Sequence, residues 1–349
     1  MWAVMKTISE PRKMFVMEGF NMKILVTGGA GYVGSVLLRR LLNEGYYVKC
    51  LDCLSFGGES LLGIWEHSNF KFANCDITDF DAVGSIINSD EYFAVIHLAG
   101  IVGDPACKRQ PDLARSVNWD ASVHLLEKSM EKKIPRFIFA STCSNYGKMS
   151  DPDGYVNEES ALAPVSLYAE LKVKFEKLIL GGIPKTNEFS PTCLRFSTVY
   201  GMSPRMRFDL TVNEFTKELA LRKELVVFGE QFWRPYCHVG DFSNAILKVL
   251  QAPQEKIAYE VFNVGDTGEN YTKQMIVDEI GKQISDIRIK YVKKEEDPRD
   301  YRVNFDKIMN VLNFRVAKRV SDGIKEIKDI VQMGIIHNPE DQKYYNIPH

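Results

Sequence analysis

The sequence contains no long apolar run and almost no excess of charge of either sign. No stretch of about 18 apolar residues occurs, so no transmembrane helix is expected. The formal net charge is −2, which indicates neither a nucleic-acid-binding surface nor a polybasic membrane patch. Charged residues and Pro11 interrupt the apolar stretches of residues 1–21, which therefore do not resemble a secretory signal. We interpret residues 1–21 as an N-terminal extension.

The sequence also lacks the spacing of cysteines and histidines that is typical of a metal site. Its seven cysteines are scattered, and one must be unpaired. Cys50 and Cys53 form the only CxxC, and neither a second such pair nor nearby histidines complete a zinc site. No metal is therefore expected. Unpaired cysteines favour a reducing, cytoplasmic compartment.

The fold is predicted to begin with a short apolar strand and a glycine-rich turn. KILVT leads to Gly28, Gly31 and Gly34, and the amphipathic helix that follows ends at Gly45. We expect Gly28 to permit a tight turn and Gly31 to let a diphosphate approach the helix N-terminus. Gly34 would let the helix lie close to the strand. The spacing predicts a dinucleotide site, and a structural turn without a ligand is the alternative.

An acidic residue ends the second predicted strand. YYVKCLD ends at Asp52, about 20 residues beyond the glycines, where a carboxylate can accept hydrogen bonds from an adenosine ribose. A carboxylate would repel a 2′-phosphate, so Asp52 favours NAD over NADP. The alternative is that Asp52 serves only as a helix cap or turn residue.

The alternation of strands and helices predicts a doubly wound α/β fold. Further apolar strands are predicted at FKFANCDIT, AVIHLAG, RFIFAST and PTCLRFSTVYG, with amphipathic helices between them. This pattern is typical of a parallel sheet covered on both faces. We predict a Rossmann-type domain at 22–197 and a smaller α/β substrate domain formed mainly by 198–349, with some of its segments returning to the first domain.

Ligands of such sheets bind at the carboxyl ends of the strands, so the residues that follow the strands are candidates for the site. The predicted cofactor-binding residues are Gly28, Gly31, Tyr32, Val33, Gly34, Asp52, Asp76, Ile77, Leu98, Ala99, Gly100, Tyr168 and Lys172.

A tyrosine and a lysine lie one helical turn apart after the fifth predicted strand. Tyr168 and Lys172 share a face of the helix that Ser166 caps. The ordinary tyrosine pKa of about 10 is too high for a base at neutral pH, but a nearby ammonium and a nicotinamide cation lower it. Tyr168 would then remove a proton from a hydroxyl while hydride leaves the same carbon, and Thr142 would orient the oxygen. A YxxxK pattern that arises by chance is the alternative.

Together these motifs resemble the extended short-chain dehydrogenase/reductases and, within them, the nucleotide-sugar epimerase/dehydratase family. The resemblance rests on TGGAGYVGS, Asp52, HLAG, STCSNYG and YAELK, and it covers nearly all of 22–337. It implies NAD as the cofactor and a nucleotide-diphosphate sugar as the substrate. Catalytic roles are implied for Thr142, Tyr168 and Lys172.

The resemblance also implies a structural residue and an assembly. Asn118 matches a family asparagine that lies beside the site. Family members often dimerise through two helices from each subunit, which here would be 112–131 and 167–180, so a homodimer is expected.

Several residues are implied to contact the substrate. FWRPYCHVGD matches a family pattern that places Arg234 on the substrate diphosphate, and Arg299 has a comparable role. Phe228 is placed to pack against a nucleobase. Segments 99–111 and 200–216 resemble a subgroup of surface-polysaccharide enzymes that includes GDP-heptose 4-dehydrogenases. The predicted substrate-binding residues are Asp104, Thr142, Arg205, Arg207, Phe228, Arg234 and Arg299, and structural ion pairs are the alternative for the charged ones.

Two features depart from the family pattern. Cys143 and Ser144 stand where 4,6-dehydratases carry an acidic pair, so a dehydratase is not expected, and Thr198 replaces a common asparagine. The sequence predicts an NAD-dependent oxidoreductase or epimerase that acts at C4 of a nucleotide-activated sugar in surface-polysaccharide biosynthesis. A 4-ketosugar reductase and a non-catalytic NAD-binding sensor or scaffold are the alternatives. No nucleic-acid or membrane partner is expected.

Overall fold

A computed structural model of the protein describes residues 22–346 except 150, 152, 296 and 298, so the predicted N-terminal extension lies outside the described residues. The strands are β1 (Lys23–Thr27), β2 (Tyr47–Asp52), β3 (Phe70–Asn74), β4 (Ala94–His97), β5 (Arg136–Thr142), β6 (Ser190–Phe196), β7 (Thr198–Tyr200), β8 (Glu224–Phe228), β9 (Trp233–His238), β10 (Glu260–Val264), β11 (Asn270–Thr272) and β12 (Arg288–Val292). The α-helices are α1 (Tyr32–Asn43), α2 (Phe80–Asn88), α3 (Asp104–Arg109), α4 (Pro111–Arg115), α5 (Ala121–Glu131), α6 (Leu167–Lys177), α7 (Thr211–Ala220), α8 (Val239–Gln251), α9 (Lys273–Gly281), α10 (Asp306–Leu312) and α11 (Val320–Gln332).

The central sheet confirms the predicted α/β fold. Seven strands lie in the order β3-β2-β1-β4-β5-β6-β10, and every neighbouring pair is parallel. Its edge strand β10 comes from the second half of the chain. The boundary proposed at residue 197 remains a prediction.

Both faces of the sheet are apolar because successive side chains of a strand point to opposite faces. In β1, Ile24 and Val26 join the core beneath α1 and α8, whereas Leu25 joins the core beneath α2, α5 and α6. Burial of alternate side chains on opposite faces explains why these strands are continuously apolar. A third core lies among α7, α9 and α11 and includes Leu225 and Val227 of β8.

Two predicted elements differ from the structure. The strand predicted at PTCLRFSTVYG is interrupted at Ser197, so β6 stays in the central sheet while β7 pairs with β9 in a three-stranded sheet. The helix predicted at 112–132 contains a π-helical segment, Ser116–Asp120. There the side chain of Asn118 accepts from the N–H of Ile101 at 2.8 Å and donates to its carbonyl at 2.9 Å. These tertiary hydrogen bonds cannot be inferred from helical periodicity.

Across the described residues, no helix combines the length and the apolar character that crossing a membrane requires.

Candidate active site

A cavity of about 690 Å³ opens at the carboxyl ends of the central strands. Residues that follow β1, β2, β4, β5 and β6 line one side, and residues of the second half of the chain line the other. This is where ligands of parallel α/β sheets bind. The predicted catalytic residues Thr142, Tyr168 and Lys172 all border the cavity, together with the glycine turn.

The glycine turn has backbone geometry that side chains would prevent. Gly28 has φ +73°, and a Cβ atom there would lie 2.6 Å from the backbone nitrogen of Ala99. The helix α1 begins at Tyr32 after Gly31, whose lack of a side chain leaves the first N–H groups without a side-chain cap. A Cβ atom at Gly34 would lie 2.3 Å from the carbonyl oxygen of Gly28. Gly34 therefore lets α1 approach the turn itself, which refines the predicted contact with the strand.

Replacing Gly34 by alanine is expected to lower the free energy of unfolding by about 3 kcal/mol, because the methyl group would overlap backbone atoms that cannot move aside. Urea denaturation measures this change. The matched control is Gly84→Ala in α2, where a Cβ atom would meet nothing within 4 Å. There we expect stabilisation by about 0.5–1 kcal/mol. Equal effects at the two positions would contradict the close approach at Gly34.

Asp52 lies at the cavity wall and also orders the local backbone. Its carboxylate accepts hydrogen bonds from the N–H of Ala30 at 2.9 Å and of Leu54 at 2.8 Å. Burial raises its pKa, and these two hydrogen bonds oppose the shift. The carboxylate has free lone pairs for a ribose diol as well. Both sequence interpretations, the turn residue and the ribose acceptor, are compatible with this geometry.

The other predicted cofactor residues border the same cavity. These residues share a position after the ends of β1, β3 and β4. They are Tyr32, Val33, Asp76, Ile77, Leu98, Ala99 and Gly100. Asp76 accepts from the N–H and hydroxyl groups of Thr78. The structure thus brings together every residue predicted to bind the cofactor.

Helix α6 holds Tyr168 and Lys172 on one face. Ser166 caps the helix by accepting from the N–H of Ala169 at 3.3 Å, as predicted. The Nζ atom of Lys172 donates to the carbonyl of Ala140 at 2.8 Å and lies 5.9 Å from the ring centroid of Tyr168. The hydrogen bond fixes the ammonium next to β5, the strand that ends in Thr142.

Burial is the main influence on the pKa of Tyr168 in the protein without ligands. Burial raises the pKa of Tyr168, and a hydrogen bond with Thr142 opposes this increase. Burial also lowers the pKa of Lys172 to about 8, so the side chain remains mainly an ammonium at neutral pH. A cationic ring bound beside the phenol would lower its pKa, as the sequence analysis expects.

A buried ion pair that the sequence analysis missed connects α6 to strand β6 of the central sheet. The guanidinium of Arg195 on β6 binds the carboxylate of Glu176, which lies one turn beyond Lys172. Both side chains are at most 4% exposed. The carboxylate also accepts from Ser141 at 2.9 Å, and Arg195 donates to Tyr146 at 2.8 Å. The sequence feature that could have indicated this ion pair is the arginine within the otherwise apolar strand PTCLRF.

Cations gather at the end of the cavity formed by the second half of the chain. Arg234 pairs with Asp297 at 3.0 Å, and its guanidinium lies 5.4 Å from the ring centroid of Tyr301. Arg299 and Lys273 also line this end, and Lys273 was not predicted from the sequence. Burial and then the charge of Arg234 lower the pKa of Lys273.

The two arginines of the segment after β7 lie on the cavity wall in different electrostatic states. Arg207 forms two hydrogen bonds with Asp209, at 2.8 and 2.7 Å. Arg205 is 6% exposed, and its guanidinium lies 4.2 Å from the ring centroid of Phe56.

Two predicted substrate residues, Asp104 and Phe228, are not among the residues that line the cavity. The carboxylate of Asp104 binds Arg299 at 2.8 Å and accepts from Ser166 at 2.6 Å, so it connects structural elements. Phe228 lies on the exposed side of β8, where alternate residues face outward, and is 54% exposed. The substrate contacts of Asp104 and Phe228 stay predictions.

Comparison with known proteins agrees with this geometry. The model of the NAD dependent epimerase/dehydratase family matches residues 24–265. The chain belongs to this family. Membership makes it an NAD-dependent enzyme of the extended short-chain dehydrogenase/reductase type, as the sequence analysis predicted.

Relatives of this chain within the NAD dependent epimerase/dehydratase family include both epimerases and dehydratases. The UDP-glucose 4-epimerase of Bacillus subtilis is 28% identical over 72% of this chain and 79% of the relative. The dTDP-glucose 4,6-dehydratase of Streptomyces niveus is 29% identical over 87% of this chain and 91% of the relative. The structure of UDP-glucuronic acid 4-epimerase from Bacillus cereus, in complex with UDP-glucuronic acid and NAD, matches with a TM-score of 0.79 at 27% identity. It covers 89% of this chain and 99% of that one.

Proposed function

We propose that this enzyme uses NAD to oxidise C4 of a nucleotide-activated sugar in surface-polysaccharide biosynthesis, as an epimerase or a dehydrogenase. The observation that carries the proposal is the convergence of Thr142, Tyr168 and Lys172 on a cavity that also contains the glycine turn. The arginine Arg234 at the opposite end is suited to a substrate diphosphate.

The residues of the chain have complementary roles in the proposed oxidation. NAD, when bound, supplies the hydride acceptor and a positively charged ring. Thr142 orients the reacting hydroxyl through its side-chain oxygen, and Tyr168 accepts the hydroxyl proton. Lys172, held by the carbonyl of Ala140, favours the phenolate and orients the cofactor.

The residues after Thr142 argue against a dehydratase. Cys143 is buried, its pKa is raised by burial, and its thiol donates to the carbonyl of Arg195 at 3.2 Å. It therefore does not supply an acid at the sugar. Ser144 borders the cavity but has no carboxyl group to exchange protons at neighbouring carbons. These features support a reaction confined to C4.

An exposed apolar side chain and the free cysteines support the proposed assembly and location. Val165, which precedes α6, is 43% exposed, so an apolar side chain is available next to one of the helices proposed for a homodimer. All seven cysteines are free thiols, which is typical of a reducing compartment and supports a cytoplasmic location.

The test is incubation of the purified protein with UDP-, GDP-, dTDP- and CDP-sugars and NAD. Absorbance follows reduced nicotinamide, and NMR follows the configuration at C4. Inversion without net NADH indicates an epimerase, and accumulation of NADH with a keto-sugar indicates a dehydrogenase. Consumption of NADH with a 4-keto-sugar would favour the reductase alternative. Binding of NAD without turnover of any sugar would contradict the proposal and favour a sensor or scaffold.

A further inference from the structure

Arg205 is a buried cation whose hydrogen bonding is incomplete. Its Nε and Nη1 groups have no hydrogen-bond partner within the described part of the chain, and Nη2 reaches only the carbonyl of Tyr345, at 3.5 Å. A buried charge without a counter-ion is strongly destabilising. The burial also lowers the pKa of the guanidinium to about 10. Because Arg205 borders the cavity, an anion that enters the cavity is the partner this side chain lacks.

The neighbouring arginine does not share this state. Arg207 is neutralised by the carboxylate of Asp209, to which it donates two hydrogen bonds, whereas the guanidinium of Arg205 lies over the ring of Phe56. An aromatic ring offers a cation–π contact but no hydrogen-bond acceptor in the plane of the guanidinium. Two arginines separated by one residue therefore have different electrostatic requirements.

Contacts of residues 203–205 place Arg205 beside the part of the cavity that contains the glycine turn. The hydroxyl of Ser203 donates to the carbonyl of Tyr32 at 2.7 Å and lies 3.0 Å from the hydroxyl of Ser35. Both partners belong to the first turn of α1. Phe56 follows the end of β2, four residues beyond Asp52. Arg205 thus lies between the glycine turn and the loop that follows Asp52, the predicted ribose acceptor.

We propose that Arg205 binds the diphosphate of NAD and completes an anion site whose other part is the N-terminus of α1. The diphosphate is the only anionic group of NAD, and the helix N-terminus supplies N–H donors but no full charge. A guanidinium supplies that charge and two parallel donors. This assigns Arg205 to the cofactor instead of the substrate, and it rests on the NAD dependence in the proposed function.

The decisive experiment measures NADH binding by calorimetry on protein stripped of nucleotide. Arg205→Gln is expected to weaken binding about 10- to 100-fold, because a charged hydrogen bond to phosphate is lost. The matched control, Arg40→Gln, removes an exposed arginine of α1 that binds Asn244, and wild-type affinity is expected. UDP or GDP should bind the NADH-loaded variant as it binds the NADH-loaded wild type.

Thermal unfolding separates this role from a structural one. Without nucleotide, Arg205→Gln should unfold at or above the wild-type temperature, because an uncompensated buried charge is removed. The increase in Tm that saturating NADH produces should become smaller in the variant. If the glutamine variant does not fold, Arg205→Met takes its place, since methionine fills similar volume without polar groups.

Several results would overturn the assignment. These are NADH affinity within threefold of wild type, a larger loss for UDP or GDP than for NADH, a lower Tm without nucleotide, or failure of both variants to fold. Failure of the wild type to bind NADH would overturn the proposed function as well. Unchanged binding in the variant alone would overturn only the role of Arg205.

Discussion

Replacing Tyr168 by phenylalanine is expected to lower kcat about a hundred- to ten-thousand-fold, because the phenol is the proposed acceptor of the hydroxyl proton. The ring and its packing on α6 are kept, so folding and NADH affinity should be unchanged. Turnover of the nucleotide sugar found in the panel measures the first effect, and calorimetry measures the second.

The matched control for this substitution is Tyr291→Phe. Tyr291 lies on β12, is 40% exposed and does not border the cavity, so wild-type kcat is expected. If Tyr168→Phe retained kcat within tenfold of wild type, another group would have to accept the proton.

Replacing Arg195 by methionine is expected to lower the free energy of unfolding by about 3–5 kcal/mol. The change leaves the carboxylate of Glu176 buried without its cation, while Ser141 still donates to it. Urea denaturation gives the magnitude. The double variant Arg195→Met with Glu176→Leu should recover much of the loss, because an apolar pair of similar volume needs no counter-ion.

The control for the buried pair is an exposed one. Lys128→Met removes the partner of Glu131 on the surface of α5, and a change below about 1 kcal/mol is expected. A similar loss for Arg195→Met would mean that water solvates Glu176 in the variant. Because Glu176 continues the face of α6 that carries Tyr168 and Lys172, activity should decrease in the single variant even where the protein remains folded.

The local sequence was sufficient to predict the central strands, because their apolar runs and the glycine turn reflect backbone requirements. Gly28 needs its positive φ, and α1 ends at Asn43, two residues before Gly45, which has φ +85°. The break at Ser197 could not be predicted in the same way. It depends on β9, which comes later in the chain and pairs with β7 in another sheet.

The sequence was sufficient to place residues at the cavity where they follow a strand end, but not where tertiary pairing decides their position. Thr142 and Asp52 lie at the ends of β5 and β2, so their positions follow from the sheet alone. The ion pair of Asp104 could not be predicted in this way because its partner Arg299 is 195 positions away. The sequence likewise contains no sign that Arg207 has a counter-ion whereas Arg205 does not.

The edge strand β10 has a consequence for how this chain reaches its native state. It pairs with β6 over five residues, from Glu260 opposite Thr192 to Val264 opposite Phe196. A nascent chain that stops before this strand leaves the N–H and C=O groups of β6 open to other molecules. The central sheet of this chain is therefore completed only by residues 260–264, which are synthesised well after its other six strands.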